Sequence, residues 1–227
     1  MKLAKTGYFI HSGYQGKEVG ALLFNYPKES FSYSAIEPWN GQPIVGSIEF
    51  VEGYTFIKTP NYFPEFLDDY LRRDVRWIEC LYEIEDEQCF FAKPADRHKR
   101  FDARIVSGYD KYEPAFYPWQ VGPYWISDIV HFKEEWRYYI AKGEVLAAYW
   151  YLGEEKEIDA PELNIDWPKD FSGAVDFGRL FSGEIALVEN NLPYACGWYG
   201  PHSEGKVYGE WLEKSWNYVL NSPNIGV

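Results

Sequence analysis

Three side chains in the last quarter of the chain, Asp176, Glu189 and Asn191, carry oxygens at a spacing that suits a hard cation. They stand in two short apolar runs, "GAVDFG" (residues 173–178) and "ALVENNLP" (residues 186–193). Strand alternation puts Ile185, Leu187, Glu189 and Asn191 on one side, so a single face turns from oil to oxygen ligands. A hairpin turning near Leu180 to Gly183 would set Asp176 opposite Leu187 and diagonal to Glu189, roughly 7–8 Å away. Carboxylate and amide oxygens suit Mg²⁺, which takes a few protein carboxylates and fills its shell with substrate phosphates and water. The triad therefore predicts a phosphate-bearing partner. The ordinary alternative is that Asp176 and Asn191 cap turns and Glu189 is a solvated strand end.

Cations for such a partner are available. "QCFFAKP" (residues 88–94) alternates as a strand in which Cys89, Phe91 and Lys93 share a face, and Pro94 ends it. It opens a basic stretch, "KPADRHKRFDAR" (residues 93–104), in an otherwise acidic chain; a solvated basic loop is the competing reading. Arg137 lies on "EWRYYIAKGEVLAAYWYL" (residues 135–152), which reads as a hairpin around Lys142 and Gly143 with Glu135, Arg137, Tyr139 and Ala141 on one face. Glu135 on that face could orient the Arg137 guanidinium through a bidentate pair.

Other chemistries lack support. The four histidines show no metal-ligand spacing. "DFG" at residues 176–178 has no accompanying HRD-type loop or GxGxxG loop, so a protein kinase is excluded. A GxSxG elbow is absent, and no cysteine has a convincingly placed base, which leaves nucleophilic hydrolysis without a nucleophile.

The elements that must position these groups follow from periodicity. Residues 1–82 read as a small α/β lobe, with strand-like runs at "GYFI", "ALLFNY" and "SIEFV" and a helix over "FPEFLDDYLRR" (residues 63–73) whose stripe is Phe63, Phe66, Leu67, Tyr70 and Leu71. Residues 83–227 are strand-rich. The aromatic, proline-bearing "KYEPAFYPWQVGPYW" (residues 111–125) reads as a loop or linker. The closing "VYGEWLEKSWNYVL" (residues 207–220) reads as a covering helix with Val207, Trp211, Leu212, Ser215, Trp216 and Val219 on one face.

Composition bounds the rest. With 227 residues, 46% of them hydrophobic and 20% aromatic, the chain can build a substantial core. A net charge of −13 disfavours nucleic acid as a partner, and an acidic decoy of nucleic acid would leave the ordered Lys, Arg, Asp, Glu and Asn unexplained. Three scattered cysteines without CxxC spacing fit a reducing compartment, and the apolar runs are too short for a membrane span. The start "MKLAKTGYFIHSG" lacks a signal-type apolar core, so a cytoplasmic protein is expected.

In chain order the candidates are a strand ending in Lys-Pro, a basic loop, an arginine on a hairpin strand, an aspartate, and a Glu-x-Asn. This order resembles the ATP-grasp superfamily over about residues 80 to 200, on "FFAKPAD", "VDFG" and "LVENN". "FKEEWRYYIAKGEVLAAYWY" after a hinge "ISDIV" is similar to the compact clade frequent in phage and bacterial genomes. The resemblance implies an α+β ATP-grasp fold with antiparallel-sheet nucleotide-binding lobes behind a pre-ATP-grasp-like N-terminal lobe. It implies ATP and Mg²⁺ as cofactors, with Lys93 on the nucleotide phosphates and Ser127, Asp128, Ile129 and Val130 lining adenine and ribose. Asp128 would be the leading polar contact there. Arg137 would face the transferred phosphate, and Asp176, Glu189 and Asn191 would hold the metal. No glycine-rich clamp follows Lys93, and Ala174 stands where the broad family has an arginine; Lys99, Arg100 and Arg137 are the candidates to supply those charges. The implied reaction joins a carboxylate to an amine-type acceptor, a peptide, protein or small amine, through an acyl phosphate. A phosphotransferase and a nucleotide-binding interaction module without turnover are the alternatives.

Overall fold

The computed structural model describes residues 7–56, 59–95, 101–112, 121–154, 158–194 and 196–221. The chain builds three sheets. The first is parallel, in the order β2-β1-β3, from β1 (Tyr8–Ile10), β2 (Phe31–Tyr33) and β3 (Ile44–Val45). Parallel strands need crossovers, and these are supplied by α1 (Lys17–Asn25) and by the turns before β3; α2 (Ile48–Glu52) follows. The runs "ALLFNY" and "SIEFV" therefore fall largely in α1 and α2, not in strands. Val19, Ala21 and Leu22 bury one side of α1 while Leu23 and Phe24 stay exposed, a helical and not an alternating pattern.

The predicted helix over 63–73 is a short 3₁₀ helix, Glu65–Tyr70. Its apolar stripe is nonetheless used: Phe63 and Leu67 are buried, and Phe66, Tyr70 and Leu71 pack beside them. Continuation is stopped at Arg72, whose φ of 52° lies in the left-handed region that costs a non-glycine residue about 1–2 kcal/mol.

The second sheet, β4-β7-β5-β6, is antiparallel and contains β4 (Val75–Cys80), β5 (Cys89–Pro94), β6 (Arg104–Ser107) and β7 (Val121–Ser127). Residues 121–125, expected in a linker, are thus a central strand. Pro123 cannot donate to the ladder, and it sits where the β4–β7 register shifts between Ile78 and Cys80. Residues 113–120 of that stretch lie outside the described residues.

The third sheet, β11-β10-β8-β9, is built from two hairpins: β8 (Phe132–Ala141) with β9 (Glu144–Gly153), and β10 (Gly173–Leu180) with β11 (Ile185–Asn191). Lys142 and Gly143 both have positive φ, which matches the tight turn to the strand twist. One face buries Trp136, Tyr138, Val175, Phe177 and Leu187 against the 3₁₀ helix and residues 158–171. The other face meets α3 (Gly205–Asn221) at one end through Tyr139 and Ala174, and Trp211 donates from its indole to Gly173 O (2.8 Å). At its other end this face is open, and the functional side chains stand there. Among the described residues no helix is long and apolar enough to cross a membrane.

Candidate functional site

The expected register of the second hairpin is off by a bulge. Asp176 pairs with Glu189, yet Phe177 pairs with Leu187, so Val188 is an extra residue in β11. Cross-strand partners share a face, which places Asp176, Glu189 and Asn191 together and leaves Leu187 and Ile185 on the opposite, oily face with Phe177. The expectation that Leu187 anchors the same face as Glu189 is thus overturned, and Asp176 stands opposite Glu189 instead of Leu187. A second extra residue, Tyr151, lies in β9 between Trp150 and Leu152, where Glu135 pairs with Leu152 and Trp136 with Trp150.

Two carboxylates directly across a ladder repel, and the surroundings offset this. Asn191 Nδ2 donates to Asp176 Oδ2 (3.2 Å) and to Glu189 Oε1 (3.0 Å). Arg137, opposite Asp176 on β8, grips it through Nε to Oδ1 (2.8 Å) and Nη2 to Oδ2 (2.7 Å). Asp176 is 1% exposed and Arg137 9%. Burial works against the Arg137 charge, but Asp176 and Cys196 beside it hold the guanidinium well above its ordinary pKa. Glu135, expected to orient Arg137, instead accepts a hydrogen bond from the Tyr151 hydroxyl, because the fork is already occupied by Asp176. Lys93 on β5 pairs through Nζ with Glu189 Oε2 and lies 4.6 Å from the centre of the Tyr62 ring. Burial pushes the Lys93 pKa down, against the pull of Asp176 and Glu135.

These groups stand at one end of a cleft of about 600 Å³ between the second and third sheets. Lys93, Glu189 and Asn191 line it, as do all four hinge residues Ser127, Asp128, Ile129 and Val130; Arg137 and Asp176 lie one side chain behind. Phe91, Phe101, Ile105 and Phe132 make its apolar walls, and two of the bulged residues, Val188 and Tyr151, line it as well. The Asp128 carboxylate accepts from Asp74 N (3.1 Å) while Asp128 N donates to Asp74 O (3.1 Å), so its side chain is spent in part on fixing the hinge. Lys99 and Arg100 lie outside the described residues.

One cleft residue escaped the sequence reading. Arg73 reaches the cleft from the turn after the 3₁₀ helix and donates to Leu187 O (2.6 Å) and Val188 O (3.2 Å), the carbonyls of the bulge. The left-handed Arg72 before it was the available sign of a chain reversal, but no residue type announces it.

The donor set accommodates a hard divalent cation. Two carboxylates converge on one amide, each ionised carboxylate has acceptor sites beyond those its cation uses, and an amide presents either N or O. Among the described residues no group of three His, Cys, Asp or Glu is arranged to hold a metal, and two carboxylates with one amide are fewer protein ligands than a full cation shell takes. Burial pushes the Cys196 thiol up to about 11, with Arg137, whose Nη1 donates to its Sγ (3.2 Å), opposing.

Comparison with known proteins bears on the fold and on the family. No curated protein matches the chain. Among solved structures it is similar to the ATP-grasp ligase PsnB complexed with minimal precursor, at 12% identity and a TM-score of 0.41, over 65% of this chain and 56% of that one. The RimK domain protein ATP-grasp from Sphaerobacter thermophilus aligns at 11% identity and a TM-score of 0.53, over 95% of this chain and 100% of that one. The ADP complex of purK, an N5-carboxyaminoimidazole ribonucleotide synthetase, aligns at 11% identity and 0.50, over 96% and 78%. At such identities the likeness speaks to the fold, and the chain spans just over half the length of the first of these ligases. The family model for the ATP-grasp domain, R2K clade family 2, matches residues 70–206 and takes in the hinge, Lys93, Arg137 and the whole second hairpin; the chain belongs to that family.

Proposed function

We propose that the protein is an ATP- and Mg²⁺-dependent ligase that joins a carboxylate to an amine-type nucleophile. The observation that supports this most is the clustering at one end of the cleft of two carboxylates and an amide, each carboxylate paired with a cation of the chain. Bound ATP would supply the phosphoryl group that activates the carboxylate, and Mg²⁺ would neutralise charge on the phosphates. Asp176, Glu189 and Asn191 are the residues to hold the metal, and Lys93 the one to hold phosphate. A carboxylate that turns to a divalent ion releases its former partner, so Lys93 can exchange Glu189 for a phosphate oxygen with no charge left bare. Arg137, behind Asp176 and beside the stacked Tyr151 and Tyr199 rings, fixes that carboxylate and supplies positive charge beneath it. The hinge residues and the apolar walls would take the base and ribose and exclude water from the phosphate end. Positioning and charge are the protein's share, which accords with a site that holds no activated nucleophile.

Glu189→Gln keeps the shape and removes the anionic ligand. Its melting temperature without nucleotide should match wild type, while the extra stabilisation by ATP with Mg²⁺ over ATP with chelator should vanish in a thermal-shift titration. Wild-type behaviour of the variant would overturn the metal assignment. Incubation with ATP, Mg²⁺ and a metabolite or peptide extract should yield ADP and a product mass consistent with condensation. Nucleotide binding without ADP would favour the interaction module, and a phosphorylated product without a new amide the phosphotransferase.

A further inference from the structure

The bulge at Val188 decides which face of β11 Glu189 and Asn191 occupy, and a bulge leaves backbone groups without ladder partners. Arg73 supplies donors to two of them. Its Nη1 donates to Leu187 O (2.6 Å) and Leu71 O (3.1 Å), and its Nη2 to Val188 O (3.2 Å). Its Nε reaches Ser127 Oγ (3.4 Å) at the start of the hinge. The guanidinium lies near the Phe63 ring (5.4 Å to its centre) and the Phe132 ring (6.0 Å). Burial lowers its pKa to about 10, with Asp128 opposing. A planar fork that addresses neighbouring carbonyls at a ladder irregularity is a task only arginine performs among cationic side chains.

We propose that Arg73 is a positioning residue that clamps the β11 bulge, thereby holding Glu189 and Asn191 on the face of Asp176, and ties this end of the cleft to the hinge at Ser127. It acts through Glu189 and Asn191, whose direction it sets by holding the Leu187 and Val188 carbonyls. The inference rests on the metal reading of Glu189 and Asn191 for its functional consequence, but the clamp itself is testable without any ligand.

Arg73→Met keeps the apolar stem and loses every donor; Arg73→Lys keeps the charge and loses the fork. Hydrogen exchange should show both variants losing protection over residues 185–191 while β8 and α3 keep theirs. In calorimetry with ADP, both should lose about tenfold or more in affinity when Mg²⁺ is present, the range expected for a residue that supports metal ligands, and change little when the metal is chelated. Ser127→Ala, which removes the Arg73 Nε contact at the hinge and the Ser127 Oγ bond to Asp128 O but no donor to β11, should leave exchange in β11 unchanged. Unaltered exchange in β11, an equal loss of ADP affinity with and without Mg²⁺, or full rescue by lysine would each overturn the proposal. Wild-type protein that binds ADP no better with Mg²⁺ than without would overturn the metal reading instead, and the exchange measurement would still decide the clamp. Should Arg73→Met fail to fold, Arg73→Lys and the same two measurements decide.

Discussion

Two ion pairs stand side by side at the cleft, one on its wall and one behind it, and they are built differently. Arg137 and Asp176 face each other across adjacent strands, meet through two parallel hydrogen bonds, and are almost wholly removed from solvent. Lys93 meets Glu189 from another sheet with a single ammonium, on the cleft wall, where the Glu189 side chain retains 21% exposure. Lys93 is as little exposed as Arg137, 9% each, so the difference lies in the carboxylates and in the geometry: a two-point fork on a buried Asp176 is rigid and costly to break, while a single ammonium on the more exposed Glu189 is the pair better placed to change partners.

Breaking the inner pair should have the largest effect. Asp176→Asn leaves Arg137 buried without its counter-charge and should cost about 3–5 kcal/mol in denaturant unfolding. The double change Arg137→Met with Asp176→Leu removes both charges and should recover most of that stability, while Mg²⁺-dependent stabilisation by ATP stays absent. If the double variant is as unstable as the single one, the inner pair is more than a matched set of charges. The outer pair should respond in the opposite way. Lys93→Met puts an apolar stem in a buried position and leaves only the more exposed Glu189 without its partner, so it should cost less in denaturant unfolding than Asp176→Asn, yet calorimetry should find ATP binding strongly weakened.

The smallest effect concerns Glu135, next to both pairs but in neither. Burial raises its carboxyl pKa, with the Tyr151 hydroxyl opposing, so the folded state holds this proton more tightly than the unfolded chain does. Stability from this group is therefore full below the ordinary carboxylate range and is lost as pH rises through the raised value. Glu135→Gln, which keeps an oxygen for Tyr151, should melt slightly higher than wild type at pH 7. The difference should shrink as pH falls towards 4; a difference that grows on acidification would mean that the ionised carboxylate is stabilising.

The strands that carry the site were legible from alternation alone. Lys93 at the end of β5, Arg137 on β8 and the Lys142–Gly143 turn all lie where the pattern of the sequence puts them. Register within the second hairpin was not, because a bulge is decided by backbone partners distant in sequence: Arg73 lies 114 residues from Leu187. A sign was present all the same. Along one alternation set β11 changes from Ile185 and Leu187 to Glu189 and Asn191, and an extra residue between them gives that break in character. The N-terminal lobe misled for a different reason: runs of four to six apolar residues look alike in a strand and in a short helix buried on one side.

The extra residue in β11 also separates the length of the strand from the facing of its side chains. The pairs that flank it, Asp176 with Glu189 and Phe177 with Leu187, are neighbours on β10, so a strand without Val188 would join them as an unbroken ladder and keep Glu189 and Asn191 on the face of Asp176. What such a strand would lose is the Val188 carbonyl that Arg73 Nη2 reaches and the side chain that Val188 adds to the cleft wall. At its present length the strand needs the bulge to keep the two facings apart, and one residue shorter it would need none.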